Sequence, residues 1–125
     1  MMVERNIDVA SGLVTFTVNG KATYEGLIRA LKEMLDDPNF RKGANNFWDF
    51  RNVDSDSLTS VDIRGFASFI EKNKERCGEG YKVAFVVARD VDFGLARIYE
   101  AYADRLPFTV MVFRSMDEAL SWIRT

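Results

Sequence analysis

Histidine is absent from this chain, and cysteine occurs only once, at Cys77. Without histidine the chain can form no Ser-His-Asp triad, no Cys-His pair and no zinc site of the usual kind. A single cysteine can form neither an internal disulfide nor a cluster of metal-binding thiolates. We therefore predict a protein that is not an enzyme and that has no metal site and no cofactor.

Clusters of basic residues and long apolar runs are also missing. The 17 Lys and Arg residues are balanced by 19 Asp and Glu residues, so the net charge is −2. Nucleic acid is not an expected partner, because binding to its phosphates needs clustered Lys and Arg. No apolar run reaches the roughly 20 residues of a transmembrane helix, and residues 1–6 do not resemble a signal peptide. We expect a cytoplasmic protein.

What the chain does contain is sufficient for one folded domain, residues 1–125, since 47% of its residues are hydrophobic. Short apolar runs alternate with helical patterns, which predicts an α/β fold on a mostly parallel sheet of about five strands. The first two strands form a β-hairpin, and right-handed crossovers then place four helices on both faces. In chain order the predicted elements are strands 6–10 and 13–18, helix 24–35, strand 45–50, helix 60–77, strand 82–88, helix 92–106, strand 108–113 and a final helix after Ser115.

Capping residues mark the beginnings of three of these helices. Thr23 precedes the first helix as an N-cap. Thr59 and Asp62 have the spacing of a capping box before the second helix, as Ser115 and Glu118 do before the last.

An arginine follows each of three predicted parallel strands, at Arg51, Arg89 and Arg114. The carboxyl ends of parallel strands meet at one edge of a sheet, where helix N-termini also attract negative charge. Three guanidinium groups there predict a binding site for an anion such as phosphate or carboxylate. The alternative is that each charge only returns the chain to water at the end of a buried strand.

Asp49 is the one charged residue within the third predicted strand, between Trp48 and Phe50. A buried carboxylate needs a partner, and the candidates are Arg97 and Arg51. We interpret Asp49 as half of a structural ion pair that supports the site. The functional alternative is a general base or a metal ligand.

Asp90 and Asp92 begin the third predicted helix, and either residue can cap it. Together with Asp49 they would also be oxygen ligands of the kind that Mg²⁺ prefers. The arginines predicted at the same edge would repel a cation, so we predict no metal site.

Several segments of this chain resemble the small bacterial SpoIIAA-like proteins of the STAS/SEC14 superfamily. The segments are 47–51 (FWDFR), 82–88 (KVAFVVA), 93–97 (FGLAR), 112–113 (VF) and 118–122 (EALSW). The resemblance spans nearly the whole chain and implies a SpoIIAA-like fold. Better-known relatives are of two kinds. Anti-sigma-factor antagonists are regulated by phosphorylation of a serine where the helix after the third strand begins. Lipid-transfer proteins have a hydrophobic cavity.

The resemblance makes Ser60 and Thr59 candidate phosphorylation sites, because they fall about where the antagonists carry their phosphoserine. The glycine that follows that serine in the antagonists is replaced here by Val61. The alternative role of both hydroxyls is to cap the second helix.

Two functions remain open from the sequence. The first is a regulatory or binding module that engages a protein partner or an anionic ligand at the carboxyl ends of its strands. The second is a small protein that binds a lipid or another apolar ligand, although 125 residues leave little room for a cavity. Association into a homodimer is compatible with either function.

Overall fold

The computed structural model describes all residues from 1 to 125 as one five-stranded sheet with five helices. The strands are β1 (Met2–Ile7), β2 (Val14–Lys21), β3 (Asn46–Asp54), β4 (Tyr81–Val86) and β5 (Phe108–Phe113). The helices are α1 (Tyr24–Asp36), α2 (Ser60–Lys72), α3 (Lys74–Cys77), α4 (Asp90–Ala103) and α5 (Met116–Ile123).

The strands lie in the sheet in the same order as in the chain. β1 runs antiparallel to β2, and β2, β3, β4 and β5 run parallel to one another. The predicted α/β fold with an N-terminal hairpin is therefore confirmed, but the predicted range 6–10 of its first strand is wrong, because β1 ends at Ile7 and residues 8–13 connect it to β2. We call the edge at which the four parallel strands end the carboxyl edge.

This strand order decides which face of the sheet each helix covers. Successive right-handed crossovers that all move in one direction place their helices on one face. Helices α1, α2 and α4 accordingly pack on one face, which we call the first face, around Phe16 and Trp48. Only α5 covers the opposite, second face, where Ala119 and Ile123 contact Phe47. The prediction that the crossovers place helices on both faces is therefore wrong: α1, α2 and α4 share the first face, and the second face is covered by α5, which follows the last strand and is not part of a crossover.

The predicted second helix, 60–77, is in fact two helices, so the chain has five helices rather than four. Helix α2 ends at Lys72, and Asn73 departs from helical geometry with φ −111° and ψ 18°. The Asn73 side-chain amide donates a hydrogen bond of 2.8 Å to the carbonyl oxygen of Phe69. Asparagine side chains that bond to nearby backbone in this way compete with continuation of a helix.

Strand β3 is longer than its predicted range of 45–50, because its polar second half still pairs with β2. A β-bulge interrupts this pairing: Asp49 lies opposite Thr17, but Asn52 lies opposite Asn19. One extra residue on β3 reverses the alternation of side chains between the two faces. Because β3 extends to Asp54, Arg51 lies within the strand and not after its end, contrary to the prediction.

The predicted N-caps of α1, α2 and α5 agree with the structure, but the prediction that Asp90 or Asp92 caps α4 is wrong, because α4 begins at Asp90 and no side chain caps it. The hydroxyl of Thr23 accepts a hydrogen bond from the backbone of α1, and that of Ser115 accepts one from the backbone of α5. Thr59 and Asp62 form both halves of a capping box at the start of α2. Each cap satisfies backbone N–H groups that have no partner inside the helix.

Candidate functional site

An apolar cavity of about 110 Å³ lies between the first face of the sheet and helices α1, α2 and α4. Of its 25 lining residues, 22 are hydrophobic. Interiors of domains are normally packed with few voids larger than a water molecule, so a cavity of this size is unusual in a small domain.

An aromatic row runs along the apolar cavity from the sheet to α4, and four of its five rings line the cavity, namely Trp48, Phe50, Phe85 and Tyr99 of α4. Ring centroids along the row are separated by 3.8 Å from Phe16 to Trp48 and by 5.6 Å from Trp48 to Phe50. The row continues over 5.7 Å to Phe85 and 5.5 Å to Tyr99. Side chains at every second position of a strand share a face, which brings Trp48 and Phe50 to the same side. The row is a rigid wall with a large apolar area.

Three polar residues complete the lining, namely Asn46, Ser55 and Asp92. The Asn46 amide donates to the carbonyl oxygen of its neighbour Ala44 at 3.0 Å. Ser55 and Asp92 lie together, with exposures of 4% and 5%, and the Ser55 hydroxyl donates a hydrogen bond to the Asp92 carboxylate. The apolar cavity therefore has one polar end.

Arg89 holds this polar end from the solvent side. Its Nε donates to Asp92 Oδ2 at 2.9 Å, and its Nη2 donates to Asp92 Oδ1 at 3.2 Å and to Ser55 Oγ at 3.1 Å. The hydrogen bonds that Arg89 donates to Asp92 raise the pKa of Arg89 above its ordinary value. The guanidinium is 42% exposed whereas the carboxylate is buried, so Asp92 lies between the arginine and the cavity.

Ser55 reaches the cavity because of the bulge in β3. Trp48 and Phe50 line the cavity before the bulge, and Val53 and Ser55 line it afterwards. Strict alternation from Phe50 would have directed residues 52 and 54 to this face instead.

The groups lining the rest of the cavity stay uncharged. Burial raises the pKa of the Cys77 thiol, and burial also raises the pKa of Tyr81 and of Tyr99 well above their ordinary values. Groups whose charged form is disfavoured by burial remain neutral near pH 7. Asp92 is thus the only acidic residue that lines the cavity.

The predicted ion pair of Asp49 forms on the second face, and its partner is Arg51 rather than Arg97. Arg51 Nε donates to Asp49 Oδ1 at 3.0 Å, and Nη2 donates to Oδ2 at 2.9 Å. These hydrogen bonds hold the pKa of Asp49 below its ordinary value. Arg97 instead lies 3.5 Å from Glu100 on its own helix.

The three arginines of the predicted anion site lie toward the carboxyl edge, but each is held in a different ion pair: Arg51 within β3 on the second face, Arg89 at the end of the first-face cavity, and Arg114 after β5. Asp49 pairs with Val86 and Val86 with Phe113, so Arg51, Arg89 and Arg114 follow equivalent levels of the sheet. Each guanidinium is already paired with a carboxylate. The pairs are Arg51–Asp49, Arg89–Asp92, Arg89–Asp56 and Arg114–Asp90, the last at 2.7 Å. Four carboxylates beside three arginines leave no excess positive charge, and anion binding stays a prediction.

The two candidate phosphorylation sites differ in their surroundings. The Thr59 hydroxyl accepts the Asp62 N–H at 3.3 Å, and the Asp62 side chain accepts the Thr59 N–H at 3.0 Å. Ser60 is the first residue of α2 and is exposed. Of the two hydroxyls, only that of Thr59 has a structural task.

Neither metal ligands nor a membrane-spanning segment can be assigned from the geometry. No three Cys, Asp or Glu side chains come close enough to hold a metal ion. None of the helices combines the length and the apolar character that crossing a bilayer requires.

Solved structures of two bacterial proteins share this architecture. One is an uncharacterized protein of the DUF3478 family with a SpoIIAA-like fold from Shewanella loihica PV-4. It matches 98% of this chain over 92% of its own, with a TM-score of 0.61 and 16% identity. The other is an anti-sigma factor antagonist from Mycobacterium paratuberculosis, matched over 99% of this chain and 96% of its own, with a TM-score of 0.58 and 16% identity. No protein-family model and no curated protein matches the chain.

The chain is thus an α/β protein with a SpoIIAA-like fold. The fold that the sequence resemblance implies is confirmed, and an anti-sigma factor antagonist shares it. Because sequence identity to both structures is 16%, the likeness defines the fold and leaves the function to the features of this chain.

Proposed function

We propose that this protein is a non-enzymatic binding module that holds a small apolar ligand in the cavity between its sheet and helices α1, α2 and α4. The observation that carries the proposal is the composition of the cavity wall, in which 22 of 25 residues are hydrophobic. Ligand sites are typically apolar concavities with a few placed polar groups, and this cavity has that composition.

The volume of the cavity limits the size of the ligand. An engineered apolar cavity of about 150 Å³ in another protein binds benzene. The 110 Å³ here therefore suits one small ring or a short branched chain rather than a complete lipid.

Toluene is a suitable probe of the proposal. We expect saturable binding to the wild type, followed by ¹H–¹³C NMR shifts of the methyl groups that line the cavity. Ala96→Leu extends a side chain into the cavity and should abolish these shifts. Ala101→Leu makes the same change on an exposed part of the same helix and should leave them intact. No saturable shift in the wild type, or equal binding to both variants, would refute an apolar binding site.

A second candidate function is recognition of a protein partner at the beginning of helix α2. Val61 is 69% exposed there, which is the highest exposure of any large hydrophobic side chain in the chain. It adjoins the exposed Ser60. The anti-sigma factor antagonist of the same fold supports this candidate. Phosphorylation of Ser60 would add charge beside Val61 and thereby regulate the contact.

Paired substitutions at two exposed valines test this surface. Val61→Asp should remove a partner that copurifies from the native host and is identified by mass spectrometry. Val9→Asp is the matched control, because Val9 is 61% exposed in the β1–β2 turn, at the opposite end of the sheet. Retention of the partner by Val61→Asp would refute the surface. Native mass spectrometry of the purified protein would also show whether it forms a homodimer.

Anion binding at the carboxyl edge is tested separately by phosphate titration. Alanine variants of Arg51, Arg89 and Arg114 should weaken binding if the predicted site exists. Equal, weak phosphate binding by the wild type and all three variants would refute an anion site at these arginines.

A further inference from the structure

The polar end of the apolar cavity offers hydrogen-bond acceptors and hardly any donors. The Ser55 hydroxyl hydrogen is used by Asp92, and the Arg89 N–H groups that reach this end are directed at the same two side chains. A carboxylate has about four lone-pair sites, and the contacts from Ser55 and Arg89 occupy three of them at Asp92. Unused lone pairs remain on Asp92 Oδ2 and on Ser55.

At this end the negatively charged Asp92 faces the cavity, and the positively charged Arg89 faces the solvent. Asp92 is 5% exposed and lines the cavity, whereas the guanidinium of Arg89 is 42% exposed and does not. A ligand inside the cavity would therefore meet the carboxylate before the arginine. A second carboxylate placed there would be repelled at short range in a site of low dielectric constant.

We propose that Ser55 and Asp92 recognise the polar group of the ligand, and that the ligand class is small apolar molecules bearing one hydrogen-bond donor, such as an alcohol or an amine, and not carboxylic acids. This inference rests on the proposed function, because it concerns the same cavity. The aromatic row binds the apolar body, and the acceptors at the polar end bind the donor group.

Ser55, Asp92 and Arg89 also connect the end of β3 to the first turn of α4. A purely structural network would stabilise the fold without distinguishing one ligand from another. We therefore compare the affinities of ligands that share one carbon skeleton, because only ligand recognition by Ser55 and Asp92, and not a purely structural role, would make these affinities differ.

Toluene, benzyl alcohol and benzoate share one ring and differ in the polar group, so their dissociation constants test the proposal. For the wild type we expect benzyl alcohol to bind about tenfold more tightly than toluene, as one charge-assisted hydrogen bond allows. Benzoate should bind more weakly than toluene.

The variant Asp92→Asn keeps the shape of the side chain but removes its charge and adds N–H donors. Its affinity for toluene, measured in parallel, shows how far the substitution changes binding in general, and the selectivity is compared relative to it. The advantage of benzyl alcohol over benzoate should fall to less than about threefold. Ser55→Ala, which removes one acceptor, should lower the affinity for benzyl alcohol alone, and it provides a second test should Asp92→Asn fail to fold.

The outcomes separate the two proposals. If toluene itself does not bind to the wild type, the apolar binding function fails and this inference fails with it. If toluene binds but all three probes bind alike, or if Asp92→Asn retains the full selectivity, the cavity is a ligand site without recognition by Ser55 and Asp92.

Discussion

The substitution Ala96→Leu should make the protein more stable, because it adds atoms where the structure leaves a space. Cavities in protein cores cost about 24 cal/mol per Å³, so the 110 Å³ void corresponds to about 2.6 kcal/mol of lost stability. Leucine adds three carbon atoms to alanine, worth about 2.4 kcal/mol when all are buried at roughly 0.8 kcal/mol each. Lost rotamer freedom and imperfect fit offset about half of this gain.

We therefore expect a net stabilisation of about 1 kcal/mol. With roughly 2.1 cal/mol/K of unfolding entropy per residue, a chain of 125 residues gains about 4 °C in Tm for each kcal/mol. Urea unfolding followed by circular dichroism should show a higher midpoint at an unchanged m-value. Calorimetry in the absence of ligand should show the matching rise in Tm.

Ala101→Leu is the matched control, since Ala101 is an exposed residue of the same helix. Its effect should stay within about 0.5 kcal/mol, as for most surface substitutions. The reasoning would be refuted if Ala96→Leu destabilised the protein by more than about 1 kcal/mol while Ala101→Leu was neutral. That result would mean that the space beside Ala96 is already filled by packed side chains.

Three further predictions concern other parts of the fold. Gly65→Ala should destabilise α2, because a Cβ there would lie 2.6 Å from the aromatic ring of Tyr24 in α1. Gly94→Ala should stabilise α4 by about 0.5–1 kcal/mol, because its Cβ would meet nothing within 4 Å. Urea unfolding would contradict this reasoning if the two substitutions changed the stability in the same direction. Arg51→Ala should cost about 1 kcal/mol at pH 7, discounted for the exposure of the guanidinium. The loss should shrink as the pH falls below the ordinary value of 3.8 and through the lower pKa of Asp49 in the folded protein, because a lowered pKa contributes stability only while the carboxylate is charged. A loss that stayed constant after NMR had shown Asp49 to be protonated would exclude the ion pair as the cause. Cys77 should react slowly with a thiol reagent at pH 8, because burial raises its pKa, and more slowly still with toluene bound; a rate that toluene does not change would place the ligand elsewhere.

The periodicity of apolar residues was sufficient to predict the architecture of this chain. The predicted strands 82–88 and 108–113 are short, rich in β-branched residues and each followed by an arginine, which leaves little ambiguity about their type, although β4 itself is Tyr81–Val86. The break at Asn73 was not predictable in the same way, because residues 71–76 (EKNKER) contain neither glycine nor proline and the first glycine comes only at Gly78. Only the local bond from its own side chain to the backbone ends the helix there.

The face on which each helix lies depends on strand order, and strand order depends on long-range pairing that the sequence does not display. The same α/β string is compatible with a sheet that reverses direction midway and places crossover helices on both faces. Here the order never reverses, so α1, α2 and α4 share the first face and can enclose a cavity between them. The apolar cavity between these helices and the sheet is thus a consequence of topology.

The residues at the polar end illustrate why the candidate site itself was missed. Asp92 is recognisable in the sequence only as a residue of a helix start, and Ser55 only as part of a polar connector. The bulge opposite Val18 turns Ser55 toward the first face, and the next strand connection brings Asp92 beside it from 37 residues away. A bulge has no strong signature when neither of its residues is glycine, as with Phe50 and Arg51.

The same bulge places the ion pair of Asp49 and Arg51 and the hydrogen bond of Ser55 to Asp92 on opposite faces of the sheet. Before it, alternation directs Asp49 to the second face, where Arg51 satisfies it and where only α5 covers the sheet. After it, Ser55 lies on the first face with Asp92. Deleting one residue of the bulge would restore regular pairing with Asn52 still opposite Asn19, so Val53 and Ser55 should stay on the first face. A deletion variant that still folds should therefore keep its preference for benzyl alcohol over toluene. Loss of that preference in a folded deletion variant would contradict the assignment of recognition to Ser55 and Asp92.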